Sequence, residues 1–390
     1  MKVLISGAGI AGTCLAFWLR RHGFAPTLVE RAPGLRSGGY IIDFWGAGFE
    51  IAERMGLASQ IQDRGYKVRE LRQVDRAGKR IVGLSVGVLD RMMAGRYSSL
   101  PRSELAACLH QALAPEVVTL FDDGIVRLDA RGPAVQVEFQ HAASRAFDLV
   151  IGADGLHSAV RGLVFGPDRI FERYLKIKVA AFTVEGYRPR DELVYLMHRE
   201  IGRQVARFSM RDDRTMFLLV FADEDPSIPV GLMDQKALLH RHFRNCGWEC
   251  AHILELLADQ RELYLDRVSQ VHMDHWHAGR AALVGDAAFC VSLLGGQGCA
   301  LAMVAAYVLA GELKRAGGEH ELAFARYEQR LRPFMAAKQR AALRFASFFA
   351  PASRWSLALG NFALRLATIP VVSALALGRQ FQDRLELPEY

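Results

Sequence analysis

The chain has 390 residues, 51% hydrophobic and 23% charged, an ordinary soluble composition with length for roughly two or three domains. Its 49 basic and 42 acidic residues give a net charge of +7 but are scattered, and no Lys/Arg stripe with interleaved aromatics supports nucleic acid as a partner. Cys14, Cys108, Cys246, Cys250, Cys290 and Cys299 include no CxxC pair, and Cys246/Cys250 has no second pair or His cluster beside it in sequence. No metal centre is therefore expected, and reduced thiols in a cytoplasmic protein are.

Met1-Lys2 runs without a signal-peptide pattern into the apolar Val3-Leu4-Ile5, so Lys2 to Ser6 predicts a buried parallel strand. Gly7, Gly9 and Gly12 follow, then a helix from Thr13 to His22 ended by Gly23, and a strand from Pro26 to Val29. In such a unit the first glycine allows a tight turn and the second lets a pyrophosphate approach the backbone. The third lets the helix pack closely on the strand. Helix N–H groups and the dipole favour phosphate there. Glu30, 18 residues after Gly12, stands where a carboxylate accepts from ribose hydroxyls. With Ile10, Ala11 and the neighbouring Arg31, these residues form a candidate dinucleotide site. The motif alone does not separate FAD from NAD, and a glycine turn in an unliganded unit is the plain alternative.

Further along, Lys79 to Asp90 predicts a strand, and Leu100-Pro101-Arg102-Ser103-Glu104-Leu105 leads a helix. Ala146 to Ile151 is another apolar strand, running into Gly152-Ala153-Asp154-Gly155 and then Ser158 and Arg161 on the next helical turn. Asp154 there is either functional or simply a helix cap. Four strands follow, Lys176 to Glu185, Glu192 to His198, Arg203 to Met210 and Thr215 to Ala222, joined by short polar turns as in a meander. Helices from Met233 to Cys246 and Ala251 to Asp259 precede a returning strand, Glu262 to His272. Phe182, Tyr195, Met197, Phe208, Met210 and Phe217 are candidate pocket-lining residues or, equally, core residues.

Arg280 to Val284 predicts a further strand, ending in Gly285-Asp286-Ala287-Ala288, and Gly296-Gln297-Gly298 opens a long apolar helix from Cys299 to about Lys314. Alanine-rich helices follow Glu321. Near the end, Arg365 and Pro370 interrupt an apolar segment whose longest charge-free run, Leu366 to Gly378, is 13 residues, short of the roughly 18 of a spanning helix. Buried or amphipathic helices are expected, with peripheral membrane contact the minor reading.

These motifs, in this order, resemble the single-component (group A) FAD monooxygenases, the flavoprotein aromatic hydroxylases with a p-hydroxybenzoate hydroxylase-like fold. The match runs from Met1 to about Lys314 and is weakest in the middle third. Asp154-Gly155 with Arg161 resembles the DG fingerprint, which implies support for the FAD pyrophosphate and transient NAD(P)H docking. Gly285-Asp286 resembles the GD motif, which implies that Asp286 bonds FAD ribose or ribityl hydroxyls. The helix after Gly296, Gln297 and Gly298, with Cys299 in its first turn, would then aim its N–H groups at the flavin pyrimidine edge and stabilise charge at N1/O2. Arg102 stands where the family places an arginine against the pyrophosphate. Gly38-Gly39-Tyr40-Ile41-Ile42-Asp43 resembles a stretch of tetracycline-inactivating flavin monooxygenases, which implies Asp43 at the flavin and Arg36 at docked NADPH. Phe289 stands where the family has His, and Leu293 where it has Pro.

The resemblance implies an α/β fold: a Rossmann-like FAD-binding domain (1–70, 97–172 and 271–333), an inserted, mainly antiparallel β-sheet substrate domain (71–96 and 173–270) and a C-terminal helical cap (334–390). With one GxGxxG in the chain, NADPH or NADH would dock briefly, reduce FAD and leave. Reduced flavin would react with O₂ to a C4a-hydroperoxide and hydroxylate a phenol, polyketide, antibiotic or similar hydrophobic or aromatic small molecule. The cofactor carries the chemistry, so no catalytic side chain is named. Alternatives are a reductase or desaturase without oxygen insertion, or a flavin-binding protein that shields an intermediate. The WxWxIP signature of related halogenases is missing.

Overall fold

The apolar run at the start becomes the middle of a sheet. In a computed structural model that describes residues 1–35, 40–86, 93, 95–366, 368 and 385–390, β1 (Lys2–Ser6) is buried after its first residue. It pairs in parallel with β2 (Ala25–Glu30) on one side and β11 (Leu149–Gly152) on the other. Being covered on both faces explains its unbroken Val3-Leu4-Ile5. Adding β7 (Val118–Phe121), β18 (Ala281–Leu283) and β17 (His277–Ala278) gives six strands in the order β17-β18-β11-β1-β2-β7, parallel except at the β17 edge. The helix α1 (Ile10–Arg21) joins β1 to β2 and packs on a long buried helix described below. A meander of β8 (Ile125–Asp129), β9 (Val135–Phe139) and β10 (Arg145–Phe147) adds Val135, Val137 and Phe147 to the same core.

A seven-stranded sheet has the order β16-β12-β15-β14-β13-β4-β5, from β16 (Tyr264–Val271) and β12 (Glu172–Glu185) to β15 (Arg214–Ala222), β14 (Arg203–Ser209) and β13 (Val194–Glu200). β4 (Glu70–Val74) and β5 (Arg80–Ser85) complete it. Its side chains alternate between faces. Phe182, Phe217, Leu219 and Phe221 pack under α6 (Leu232–Phe243) and α7 (Cys250–Ala258), while Tyr195, Met197, Ala206 and Leu218 turn the other way. Between the sheets β3 (Ile41–Trp45) pairs with β6 (Tyr97–Pro101). The remaining helices are α2 (Ala47–Arg54), α3 (Ala58–Arg64), α4 (Arg102–Gln111), α5 (Ala159–Val164), α8 (Asp286–Phe289), α9 (Gly298–Arg315), α10 (His320–Phe349) and α11 (Arg354–Leu366).

Several details differ from the sequence reading; the strand expected from Ala146 to Ile151, for one, is split between β10 and β11 in different sheets. The first helix starts at Ile10 rather than Thr13, because Gly12 is inside it and Thr13 N already bonds Gly9 O at 2.9 Å. β4 was not expected, its Glu70, Arg72 and Gln73 giving no apolar pattern; it pairs in parallel with β13, from Val194↔Glu70 to His198↔Val74. The helix α10 continues through Pro333, so the cap boundary expected at 334 falls within an element. No helix among the described residues is long and apolar enough to cross a membrane. Expectations at 36–39, 87–90 and most of 366–378 lie outside the described residues.

Candidate functional site

Space decides the roles of the first three glycines. Gly7 has φ +101°, and a Cβ there would lie 2.6 Å from Ala153 O. At Gly12 a Cβ would lie 1.9 Å from Gly7 O, so helix and turn touch backbone to backbone. At Gly9 it would meet nothing within 4 Å. The N-terminus of α1 has no side-chain cap and no acidic residue in its first turn, which leaves its N–H groups open. Glu30, at the end of β2, accepts from Ala8 N and Ala32 N, both at 3.0 Å, and Arg31 beside it is exposed.

The second motif is a brace. Asp154 accepts from Ser6 Oγ at 3.1 Å, Val160 N at 3.2 Å and Ser158 Oγ, while Ser158 caps α5 by accepting from Arg161 N. Burial raises the Asp154 pKa, against the pull of these hydrogen bonds. Arg161 is fully buried; it donates to Ala287 O at 2.9 Å and Leu156 O at 2.5 Å and pairs with Asp168 at 2.7 Å. The side chain thus ties this loop to α8.

In the third motif, Gly285 (φ +68°) and Gly296 (φ +65°) hold left-handed turns that favour glycine. A Cβ at Gly298 would lie 3.8 Å from Asp286 Oδ1, which puts that carboxylate at the opening of α9. The N-terminus of α9 likewise lacks a side-chain cap and an acidic first turn. Gly7 to Ala11, Glu30, Arg31, Asp43, Arg102, Asp154, Asp286, Gly296, Gly298 and Cys299 all line one cavity of about 1190 Å³. Gly12 and Gln297 do not line it: the first is buried beneath the turn, the second ends its loop. Arg36 lies outside the described residues. The cavity extends onto the apolar face of the seven-stranded sheet at Tyr195, Met197, Ala206 and Leu218.

A family model described as "FAD binding domain" matches residues 1–341. The chain belongs to this family, among flavin-dependent monooxygenases. A flavin-dependent monooxygenase of Legionella longbeachae is 32% identical over 400 residues, covering 100% of this chain and 98% of the relative. A protein of Mycobacterium tuberculosis is 40% identical over 344 residues, covering 86% and 91%. The crystal structure of tetracycline destructase Tet(55) is similar with a TM-score of 0.85 at 32% identity, covering 100% of this chain and 98% of that one.

Within this monooxygenase cavity, Arg102, Asp286 and Cys299 act on one another's charge. Burial opposes the Arg102 charge, but Tyr40, Cys299 and Asp286 outweigh it and raise its pKa. Burial raises the Asp286 carboxyl, against Arg102, and lifts the Cys299 thiol to about 11. Asp43 is exposed to the cavity between buried neighbours, and its Oδ1 accepts from Tyr97 Oη at 2.7 Å and Ser99 Oγ at 2.5 Å. Sequence reasoning missed Tyr97 and Ser99; their signal is the register Asp43↔Ser99, invisible before β3 and β6 are paired. Of the two departures, Phe289 packs in the core 4.8 Å from the Trp276 ring, off the cavity, whereas Leu293 lines it. Among the expected lining residues, Phe208, Met210 and Phe217 are core, and Phe182 borders the cavity while its ring packs 5.3 Å from Phe217.

Proposed function

We propose that this flavin-dependent monooxygenase uses NADPH or NADH and O₂ to hydroxylate a hydrophobic or aromatic small molecule. One observation carries the reading: two uncapped helix N-termini, Arg102, Asp286 and an apolar sheet wall all open on one cavity of about 1190 Å³. That is above the roughly 300–1,000 Å³ usual for one ligand, so it has room for a dinucleotide and part of a substrate. The residues fit FAD, since Gly9 leaves its backbone face free and Asp43 and Asp286 place carboxylates on the cavity wall.

When bound, FAD supplies the electron transfer and oxygen activation. The backbone of Gly7 to Ala11 and the α1 N-terminus would hold the pyrophosphate, with Arg102 as counter-charge. Glu30 would accept from ribose hydroxyls, giving up Ala8 N, and Asp286 from ribose or ribityl hydroxyls. The N–H groups of Gly298 and Cys299 would stabilise negative charge at the pyrimidine edge. Asp154 and Arg161 would set the loop beneath. Tyr195, Met197 and Leu218 would exclude water from the substrate. The division proposed is an FAD-binding part (1–70, 97–172, 271–333), a substrate part (71–96, 173–270) and a helical cap from 334. The six free cysteines support a cytoplasmic location. The tetracycline destructase Tet(55) supports a polycyclic or antibiotic-like substrate.

The test is oxygen-18 labelling with purified FAD-loaded protein, NADPH or NADH and a panel of phenols, polyketides and tetracyclines. One labelled oxygen in the product supports hydroxylation. NAD(P)H-dependent turnover to an unlabelled product would assign a reductase or desaturase instead. Failure to take up FAD on reconstitution would sink the reading.

A further inference from the structure

Outside the cavity, three side chains of metal-binding chemistry converge. His198 and Glu200 lie two residues apart on β13 and so share the face opposite Met197, and Cys246 follows the end of α6. One ligand atom from each lies within 4.8 Å of the others. None of the three lines the cavity.

The hydrogen bonding fixes what His198 presents. Its Nδ1 is 3.2 Å from Val74 O, and a carbonyl only accepts, so Nδ1 carries the hydrogen. Nε2 of the neutral ring then turns a lone pair toward Glu200 Oε1, at 3.2 Å. Two acceptors facing each other at that distance repel unless a cation, proton or metal, stands between them. A carbonyl holding the far nitrogen is the usual way a metal-binding histidine is oriented. Arg203 takes Glu200 Oε2 at 2.7 Å. Oε1 accepts from Gly247 N at 3.1 Å and has Arg76 at 3.7 Å, which leaves it one further acceptor position.

We propose that His198, Glu200 and Cys246 form a binding site for one zinc-class divalent cation, joining the α6–α7 connection to β13. A thiolate, imidazole and carboxylate set suits Zn²⁺ and disfavours Mg²⁺ and Ca²⁺, which take oxygen ligands. The cysteine spacing gave no reason to expect it, because two of the ligands arrive through the sheet.

The test is zinc titration of the purified FAD-loaded protein after chelator treatment, by calorimetry and competition with a chromophoric chelator. One equivalent of Zn²⁺ per chain is expected, with no Mg²⁺ binding. Cys246→Ser and His198→Gln should each weaken zinc at least about tenfold, while Cys108→Ser, at a buried thiol elsewhere, leaves it unchanged. Flavin absorbance reports folding. Equal zinc affinity in wild type and folded Cys246→Ser would overturn the proposal and leave a proton-bridged pair at this position. Should the variants not fold, alkylation of wild-type Cys246 decides: protection by Zn²⁺ but not Mg²⁺ supports the site, and no protection overturns it.

Discussion

A methyl group added at Gly12 would lie 1.9 Å from Gly7 O, whereas one added at Gly9 would meet no protein atom within 4 Å. Gly12→Ala must push helix from turn and should cost about 3 kcal/mol in denaturant unfolding. Gly9→Ala should stay within about 0.5 kcal/mol of wild type yet bind FAD at least about tenfold more weakly by fluorescence titration. The close packing at Gly12 was legible from spacing alone. Asp286 was legible as a position but not in its cost. Burial, opposed by Arg102, raises its carboxyl pKa, so the folded chain favours the proton. The associated stability is present below the ordinary carboxylate range, near pH 3.9, and is lost as pH rises through the raised value. Asp286→Asn should therefore raise the thermal midpoint of FAD-free protein more near pH 7 than near pH 4, while weakening FAD. An equal effect at both pH values would refute this account. His198 and Glu200 show the opposite limit of sequence reading, since nothing local marks them as neighbours of Cys246.

At the scale of elements, the second motif reaches the cavity through Asp154 and braces its own loop. Asp154 and Arg161 spend their hydrogen bonds on Ser6, Ser158, Val160, Leu156 and Ala287. Arg161→Met would orphan two carbonyls and leave Asp168, about a third exposed, without its partner. A loss of about 3 kcal/mol is expected, with faster FAD release on dilution, read from recovery of flavin fluorescence. A variant as stable as wild type would mean that the brace carries no weight. Strands with apolar alternation, β12 to β16, were legible to within a few residues. β4 was not, because a strand paired through its backbone beside polar side chains leaves little periodic trace.

For the whole molecule, the two sheets matter through the space between them. FAD filling that space should stabilise the protein by mass action, by about 2.7 kcal/mol at a free concentration one hundred times its Kd. A denaturant midpoint independent of FAD would contradict the assignment of the cavity. Which strand side chains face this space could not be read in advance, because strand alternation alone does not say which face is inward. Tyr195 and Met197 face the cavity, and Phe217 the helices.

The order of strands also has a consequence in time. β1 pairs Val3 with Leu149, β11 pairs Val150 with Ala281, and β13 pairs Val194 with Glu70. Neither large sheet can close until segments far apart along the chain have met, and such long-range pairing is slow, on the order of seconds or more for large mixed folds. During synthesis β1 emerges long before its neighbour β11, and β18 later still. Diluted from denaturant with FAD present, the chain should regain far-ultraviolet helix signal first and quench flavin fluorescence last, which makes cofactor capture a clock for completed folding.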